Sequence, residues 1–220
     1  MVMLDLDAVP PLDKRGLIGG CLRLPVSIDI DRLRAEVDAL PADVWNSQGG
    51  RKAVHRDAGA VFLRGFAPKE GDKPIEDRPV LSDLPYAREI IETKFGSRPL
   101  RCLMARLAGG GVVTEHTDVG PYFERTIRIH VPIISNPRAW MVCNRLCYVM
   151  APGEAWALNN STLHAVWNDS SAPRTHMICD YFATPELLSL LGRAERDLGV
   201  ARPDVDQKIR AETKTRATGG

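Results

Sequence analysis

What this chain lacks narrows its function before any motif is weighed. No apolar run approaches the roughly 20 residues needed to cross a bilayer, so no transmembrane helix is expected. Neither sign of charge dominates, since 29 Lys and Arg stand against 28 Asp and Glu for a net charge of +1. That balance gives no electrostatic footprint for nucleic acid or for an acidic membrane surface. The opening stretch MVMLDLDAVPPLDK carries Asp5 and Asp7 and no long apolar core, so it does not read as a secretory signal. The five cysteines, Cys21, Cys102, Cys143, Cys147 and Cys179, form no Cys-x-x-Cys pair, and their odd number and scattered spacing suggest reduced thiols in a cytoplasmic protein. No Gly-x-Ser-x-Gly elbow is present, which argues against Ser161, His164 and Asp169 as a hydrolase triad. The triple glycine at 109–111 runs into a strand and not a helix, so it reads as a tight turn and not a phosphate loop.

What is present points to one mainly β domain. At 44% hydrophobic residues, the 220-residue chain has enough apolar content for a sizeable core. Residues 1–53 read as an irregular segment, 1–28, followed by a helix over 29–40 capped by Asp29 or Asp31, then a polar turn at 46–52. Residues 54–183 read as the core. It opens with a strand at 60–66, a Pro-rich connector at 67–82 and a helix at 82–95 begun by Ser82. Strands are expected at 100–108, 112–116, 126–134, 145–150, 154–159, 164–168 and 174–183, with a loop at 135–144. Short strands at such regular spacing favour a sandwich or barrel over a parallel α/β sheet. Residues 184–220 supply a helix capped by Thr184-Pro185-Glu186, a weak helix after Pro203 and a disordered tail from Thr213.

Histidine is scarce, with only His55, His116, His130, His164 and His176, and four of these fall in the strand-rich region. In EHTDVGP, His116 and Asp118 lie two apart, so on an extended strand they share a face with bases about 7 Å apart. His164 follows an Asn-Asn-Ser turn. Together the three make a two-histidine, one-carboxylate facial set, which suits non-haem Fe(II) and leaves coordination positions open. Arg174 comes ten residues after His164 and offers a rigid fork for a carboxylate. Two strands repeat an Arg-x-His pattern, Arg128/His130 and Arg174/His176. In the first, Ile127, Ile129, Val131 and Ile133 take the opposite face. One such strand reads as apolar to the core and polar to water. Two of them suggest a barrel with a polar interior. His55 reads as pocket-lining or surface, His176 as packing, and Arg64, Arg106 and Arg145 as surface residues of which one could hold a substrate carboxylate.

The joint strings HTDVGPYFERTIRIHVPI and GEAWALNNSTLHAVWNDSSAPRTHMICDY resemble the aspartyl/asparaginyl β-hydroxylase family of Fe(II)/2-oxoglutarate dioxygenases. The resemblance covers residues 54–183 and is strongest over 103–182. It implies a double-stranded β-helix of the jelly-roll, cupin-like type. It assigns His116, Asp118 and His164 to catalytic iron, Arg174 to the distal carboxylate of 2-oxoglutarate, and Arg128 and His130 to the co-substrate near the metal. It implies that O2 and 2-oxoglutarate are consumed, giving succinate, CO2 and a hydroxylated amino-acid side chain. The substrate would be an Asp/Asn-type residue in a peptide or protein, or a free amino acid such as proline. The animal protein hydroxylases of the family have glycine where Asp118 stands, which weakens transfer of their protein substrate. The alternatives are a cupin-like barrel that binds metal and ligand as a non-catalytic sensor, or a cupin enzyme that needs no 2-oxoglutarate.

Overall fold

A computed structural model describes residues 6, 8–45, 53–66 and 74–218. The first elements are α1 (Lys14–Leu17), β1 (Cys21–Leu24), α2 (Ile30–Asp38), β2 (Ala58–Arg64) and α3 (Pro85–Thr93). The middle of the chain gives β3 (Pro99–Leu107), β4 (Val112–His116), α4 (Pro121–Arg125), β5 (Thr126–Ile134), β6 (Ala139–Cys143) and β7 (Leu146–Val149). Then come β8 (Ala155–Leu158), β9 (His164–Asn168), β10 (Arg174–Phe182), α5 (Pro185–Gly192) and α6 (Pro203–Thr218). The strands pair antiparallel in two sheets, ordered β1-β8-β5-β10-β3-β2 and β4-β9-β6-β7. From β3 to β10 the strands alternate between the sheets except at the β6–β7 hairpin, which winds this part of the chain into a double-stranded β-helix.

The alternation in β5 sets the layers. Ile127, Ile129, Val131 and Ile133 are at most 1% exposed and join the cluster that packs the large sheet against α2, α3 and α5. At about 1.5–3 kcal/mol for each fully buried aliphatic side chain, this outer face is the main source of cohesion. Period-two geometry then turns Arg128 and His130 into the barrel. One end of that interior is closed by Leu107, Val113, Met141, Trp156 and Val166. Helix α6 covers the outside of the small sheet, burying Val205 and Ile209 against Val112, Val142 and Ala165.

Several elements differ from the sequence expectations. The first 28 residues are not irregular throughout, because β1 adds to the edge of the large sheet, pairing Cys21–Leu24 with β8. A four-residue strand is too short for alternation to show. The 135–144 stretch contains β6, whose AWMVC is buried along most of its length, so no polar alternation marks it. The helix expected from Ser82 starts at Pro85, after a 3-10 turn over Pro79–Asp83, and its N-cap Leu84 makes no side-chain bond. Its first amides are capped from another helix: the backbone N–H groups of Tyr86 and Ala87 donate to the Glu36 carboxylate at 2.6 and 2.9 Å. The helix opened by Thr184 stops at Gly192. The tail is helical to Thr218, held by Arg216, which donates to the Val112 carbonyl at 3.1 Å and pairs with Asp57 at 2.5 Å. The turn expected at 46–52 and the first part of the 67–82 connector lie outside the described residues.

Removing the Glu36 carboxylate strands two helix-terminal donors. Glu36→Ala is expected to cost about 2 kcal/mol of unfolding free energy, read as a lowered urea midpoint at unchanged slope.

Candidate active site

His116 ends β4, His164 begins β9, and the two are direct cross-strand partners after a register shift that follows Val113. Opposed residues of an antiparallel pair stand about 5 Å apart at Cβ, so both imidazoles reach one point. Their ring centroids are 4.2 Å apart. Each ring is fixed in the same way. His116 Nδ1 donates to the Thr114 carbonyl at 2.8 Å, and His164 Nδ1 to the Thr162 carbonyl at 2.9 Å. A carbonyl only accepts, so the proton sits on Nδ1 and Nε2 presents its lone pair, as a metal-binding histidine requires. Burial also holds His164 below its ordinary pKa, against the pull of Asp118, and so favours the neutral ring.

Asp118 stands in the turn that follows. Gly120, at φ +112°, occupies the left-handed region and reverses the chain, and Pro121 opens α4. The Asp118 backbone N–H donates to the Asn160 carbonyl at 3.0 Å. Its Oδ2 accepts from Arg128 at 2.5 Å and from the Asn160 amide at 3.0 Å, which leaves Oδ1 to face a cation. Burial alone would raise the Asp118 pKa. Arg128 and the Asn160 hydrogen bond override it and hold the carboxyl well below the usual carboxylate range. One ligand atom from each of His116, Asp118 and His164 lies within 4.8 Å of the others. Two imidazoles and an ionised carboxylate fit a divalent first-row metal, and so satisfy the chemistry expected of an Fe(II) site.

Further charged and polar residues surround this set. Arg128 forms a two-point pair with Asp180, Nε–Oδ1 at 2.9 Å and Nη2–Oδ2 at 3.0 Å, so one guanidinium bridges Asp118 and Asp180. Asp180 is its cross-strand partner on β10. Lys14 is 3% exposed and donates to Asn160 Oδ1 at 2.6 Å, which fixes the amide so that Nδ2 faces Asp118. Burial pushes the Lys14 pKa down to about 8. Asp180, Asn160 and Lys14 carried no sequence signal. Leu12 N–H donates to the Glu124 carbonyl of α4, Arg125 Nε to the Val9 carbonyl and Asn159 Nδ2 to the Gly19 carbonyl, which together dock the N-terminal segment that carries Lys14 beside the site.

Farther along the interior, Arg174 is 4% exposed, and no carboxylate among the described residues pairs with it. Burial pushes its pKa down to about 9. Its Nη2 donates to His176 Nδ1 at 3.0 Å, which puts the His176 proton on Nε2, a buried atom without a partner. His130, whose ring centroid is 5.8 Å from that of His176, has both nitrogens buried and unpartnered. Burial first, then Arg174, holds both imidazoles well below their ordinary pKa, so they are neutral. His130 lies within electrostatic reach of Arg174 and also of Arg128, His164 and Asp118. A guanidinium and two imidazoles with unmet donors fit one carboxylate.

A cavity of about 320 Å³ opens at the candidate metal-binding set, lined by His55, His116, Asp118, Arg128 and Arg101 among others. His55 packs edge-on to His116 at 5.1 Å. None of the three arginines considered for a substrate carboxylate lines this cavity. Arg64 pairs with Asp77, Arg106 stacks 3.8 Å over Trp45, and Arg145 is 61% exposed near Asp206. Arg101 does line it, beside Arg128; a strand arginine carries no mark in the sequence of which side it faces.

A double-stranded β-helix carrying His-x-Asp and a distal histidine at its open end defines a class of metal-binding barrels. Within that class, a family model described as Aspartyl/Asparaginyl beta-hydroxylase matches residues 30–184, and this chain belongs to that family. It is similar to an L-proline cis-4-hydroxylase from Rhizobium meliloti (strain 1021), with 27% identity over 178 residues, 78% of this chain and 64% of that protein. It is also similar to L-proline cis-3-hydroxylase 2 from a Streptomyces species, with 27% identity over 101 residues, 44% of this chain and 35% of that one. The chain thus matches under two thirds of the length of either relative. Among solved structures, an oxidoreductase of the 2OG-Fe(II) oxygenase family from Burkholderia pseudomallei shares the fold at TM-score 0.51 and 13% identity, covering 83% of this chain and 90% of its own.

Two outcomes test the wiring around Asp118. Asn160→Ala should weaken metal binding by about 10–100-fold, measured by calorimetric titration with Mn(II). The depressed Asp118 pKa adds native stability that is complete above its unfolded value of about 3.9 and is lost as pH falls below it. Urea unfolding of the metal-free protein should therefore show a smaller loss between pH 6 and pH 3 for Asp118→Asn than for the wild type.

Proposed function

We propose that this protein is an Fe(II)/2-oxoglutarate-dependent dioxygenase that hydroxylates an unactivated C–H of an amino-acid side chain. One observation carries the reading: a buried arginine, Arg174, lies in the same interior as the His116, Asp118 and His164 set and has no acidic partner among the described residues. A metal-binding barrel without turnover needs no such cation, whose burial is costly unless an anion joins it.

Bound iron would supply the oxidation, in which substrate C–H, O2 and 2-oxoglutarate give substrate C–OH, succinate and CO2. The chain's own residues bind and position. His116 and His164 offer Nε2, and Asp118 offers Oδ1. Arg128 and Asn160 keep Asp118 ionised and pointing one way. Arg174 grips the distal carboxylate of 2-oxoglutarate, with neutral His176 and His130 free to donate to the same co-substrate. Arg128, already engaged with two carboxylates, reaches the co-substrate side through Asp118. The two L-proline hydroxylases among the relatives favour a free amino acid of the proline type over an Asp/Asn residue in a protein.

The reconstituted protein should release succinate from 2-oxoglutarate and add one oxygen atom to a member of a free amino-acid panel, followed by mass spectrometry. Asp118→Ala should abolish both. Arg174→Ala should weaken 2-oxoglutarate binding by at least about 30-fold, the scale of losing about 2 kcal/mol from a buried charge pair. Wild-type affinity in Arg174→Ala would sink the assignment.

A further inference from the structure

Three arginines matter to the barrel interior, and they differ in what they hold. Arg128 is committed to Asp118 and Asp180. Arg174 is the one assigned above to the co-substrate. Arg101, on β3, remains. It lines the cavity that His116 and Asp118 also line. Its Nε is buried and has no hydrogen-bond partner, and no carboxylate among the described residues pairs with its guanidinium. Asp180, the acid opposite this end of β3 on β10, already spends both oxygens on Arg128.

What surrounds Arg101 is aromatic. Its guanidinium carbon lies 5.4 Å from the ring centre of Tyr122, 5.9 Å from Phe66 and 6.0 Å from Phe123. Its backbone N–H donates to the Tyr122 hydroxyl at 3.2 Å, which ties α4 to β3 and holds the aromatic group in place. Rings hold a guanidinium without using up its N–H donors, so the fork stays available. In a half-desolvated wall such a fork binds a carboxylate through two bonds more strongly than it would in water. Leu103, Ala105 and Ile178 supply apolar surface beside it. At about 320 Å³, the cavity lies at the bottom of the ~300–1,000 Å³ range of small-molecule sites, which suits a compact ligand.

Resting on the oxygenase reading above, we propose that Arg101 binds the free carboxylate of the substrate, so that the site takes a small free amino acid and not a residue within a peptide chain. The charges agree. Two guanidiniums, Arg101 and Arg174, lack acidic partners among the described residues, and the reaction brings two separate anions, the distal carboxylate of the co-substrate and the carboxylate of the substrate. Arg101 fixes one end of the substrate at the aromatic wall while its side-chain carbons lie on the apolar surface toward His116 and Asp118.

The test is binding, not turnover. The proteinogenic free L-amino acids, L-proline included, and their carboxamides are titrated calorimetrically into Mn(II)-loaded full-length protein, anaerobically, with and without 2-oxoglutarate. At least one free amino acid should bind, its carboxamide at least 30-fold more weakly. Arg101→Ala and Arg101→Gln should each lose at least 30-fold for the acid, and Arg101→Lys should recover part of it. All three should keep 2-oxoglutarate affinity within threefold of the wild type. The proposal is overturned if no free amino acid binds, if acid and carboxamide bind within threefold of each other, or if both neutral variants keep wild-type affinity for the acid. Loss of 2-oxoglutarate binding in the Arg101 variants would overturn it too, by moving this arginine to the co-substrate. Wild-type titration with 2-oxoglutarate alone reports separately on the oxygenase reading.

Discussion

The Arg128 guanidinium, clamped between Asp118 and Asp180, is the interaction on which the site depends. Arg128 and Asp180 belong to neighbouring strands of the large sheet, while Asp118 follows a strand of the small one. The guanidinium therefore ties the two sheets together at the open end of the barrel. Burial works against its charge, but Asp180 and Asp118 more than compensate and raise its pKa. The same contact holds Asp118 ionised while burial keeps His164 neutral. Those are the protonation states in which both groups ligate a metal, so one ion-pair network prepares the site electrostatically as well as sterically. Removing Arg128 would leave two buried carboxylates without their guanidinium, which is worse than never having had the pairs.

Such a network needs a fold that tolerates polar groups inside. The barrel manages this by placing its strongest apolar packing outside, between the large sheet and α2, α3 and α5, and at the closed end of the interior. The open end is then free to hold charge. Behind the candidate metal-binding set, α6 braces the small sheet, and the Glu115 backbone N–H, one residue before His116, donates to Thr213 Oγ1 at 3.1 Å. The C-terminal helix thus steadies the strand that ends in a candidate ligand.

The legible parts of the sequence were those with a local cause. The strands at Thr126–Ile134 and His164–Asn168 fall where alternation and turn residues placed them. The His116, Asp118 and His164 set was visible because His-x-Asp puts two ligand types on one face and the distal histidine follows a marked turn. Thr184 caps α5 by accepting from the Leu187 N–H at 3.2 Å, as its Thr-Pro-Glu signature suggested. What stayed hidden depends on contacts between distant segments. Glu36 caps a helix about fifty residues away, so Ser82 looked like the nearer cap. Lys14 reaches Asn160 across 146 positions, and no composition or period marks such a pair. β1 and β6 are short and largely buried, and without exposed alternate positions a strand has no period to read.

The distribution of unmet hydrogen-bonding capacity completes the argument. Buried polar atoms in folded proteins are nearly always paired, because each orphan costs about 1–3 kcal/mol. Among the described residues, five buried side-chain atoms have no partner: Arg101 Nε, both ring nitrogens of His130, His176 Nε2 and Ser135 Oγ. Four of these five belong to side chains of the polar interior or its cavity wall. Had they been scattered over the fold, they would read as imperfect packing. Three of them gather around Arg174, and the fourth stands at the aromatic wall on Arg101. Two separate groups of unspent donors, each with a guanidinium, flank a ligand set that prefers a cation. Unspent donors beside a cation site match two anionic partners better than one, which ties the co-substrate and substrate assignments to a single electrostatic design.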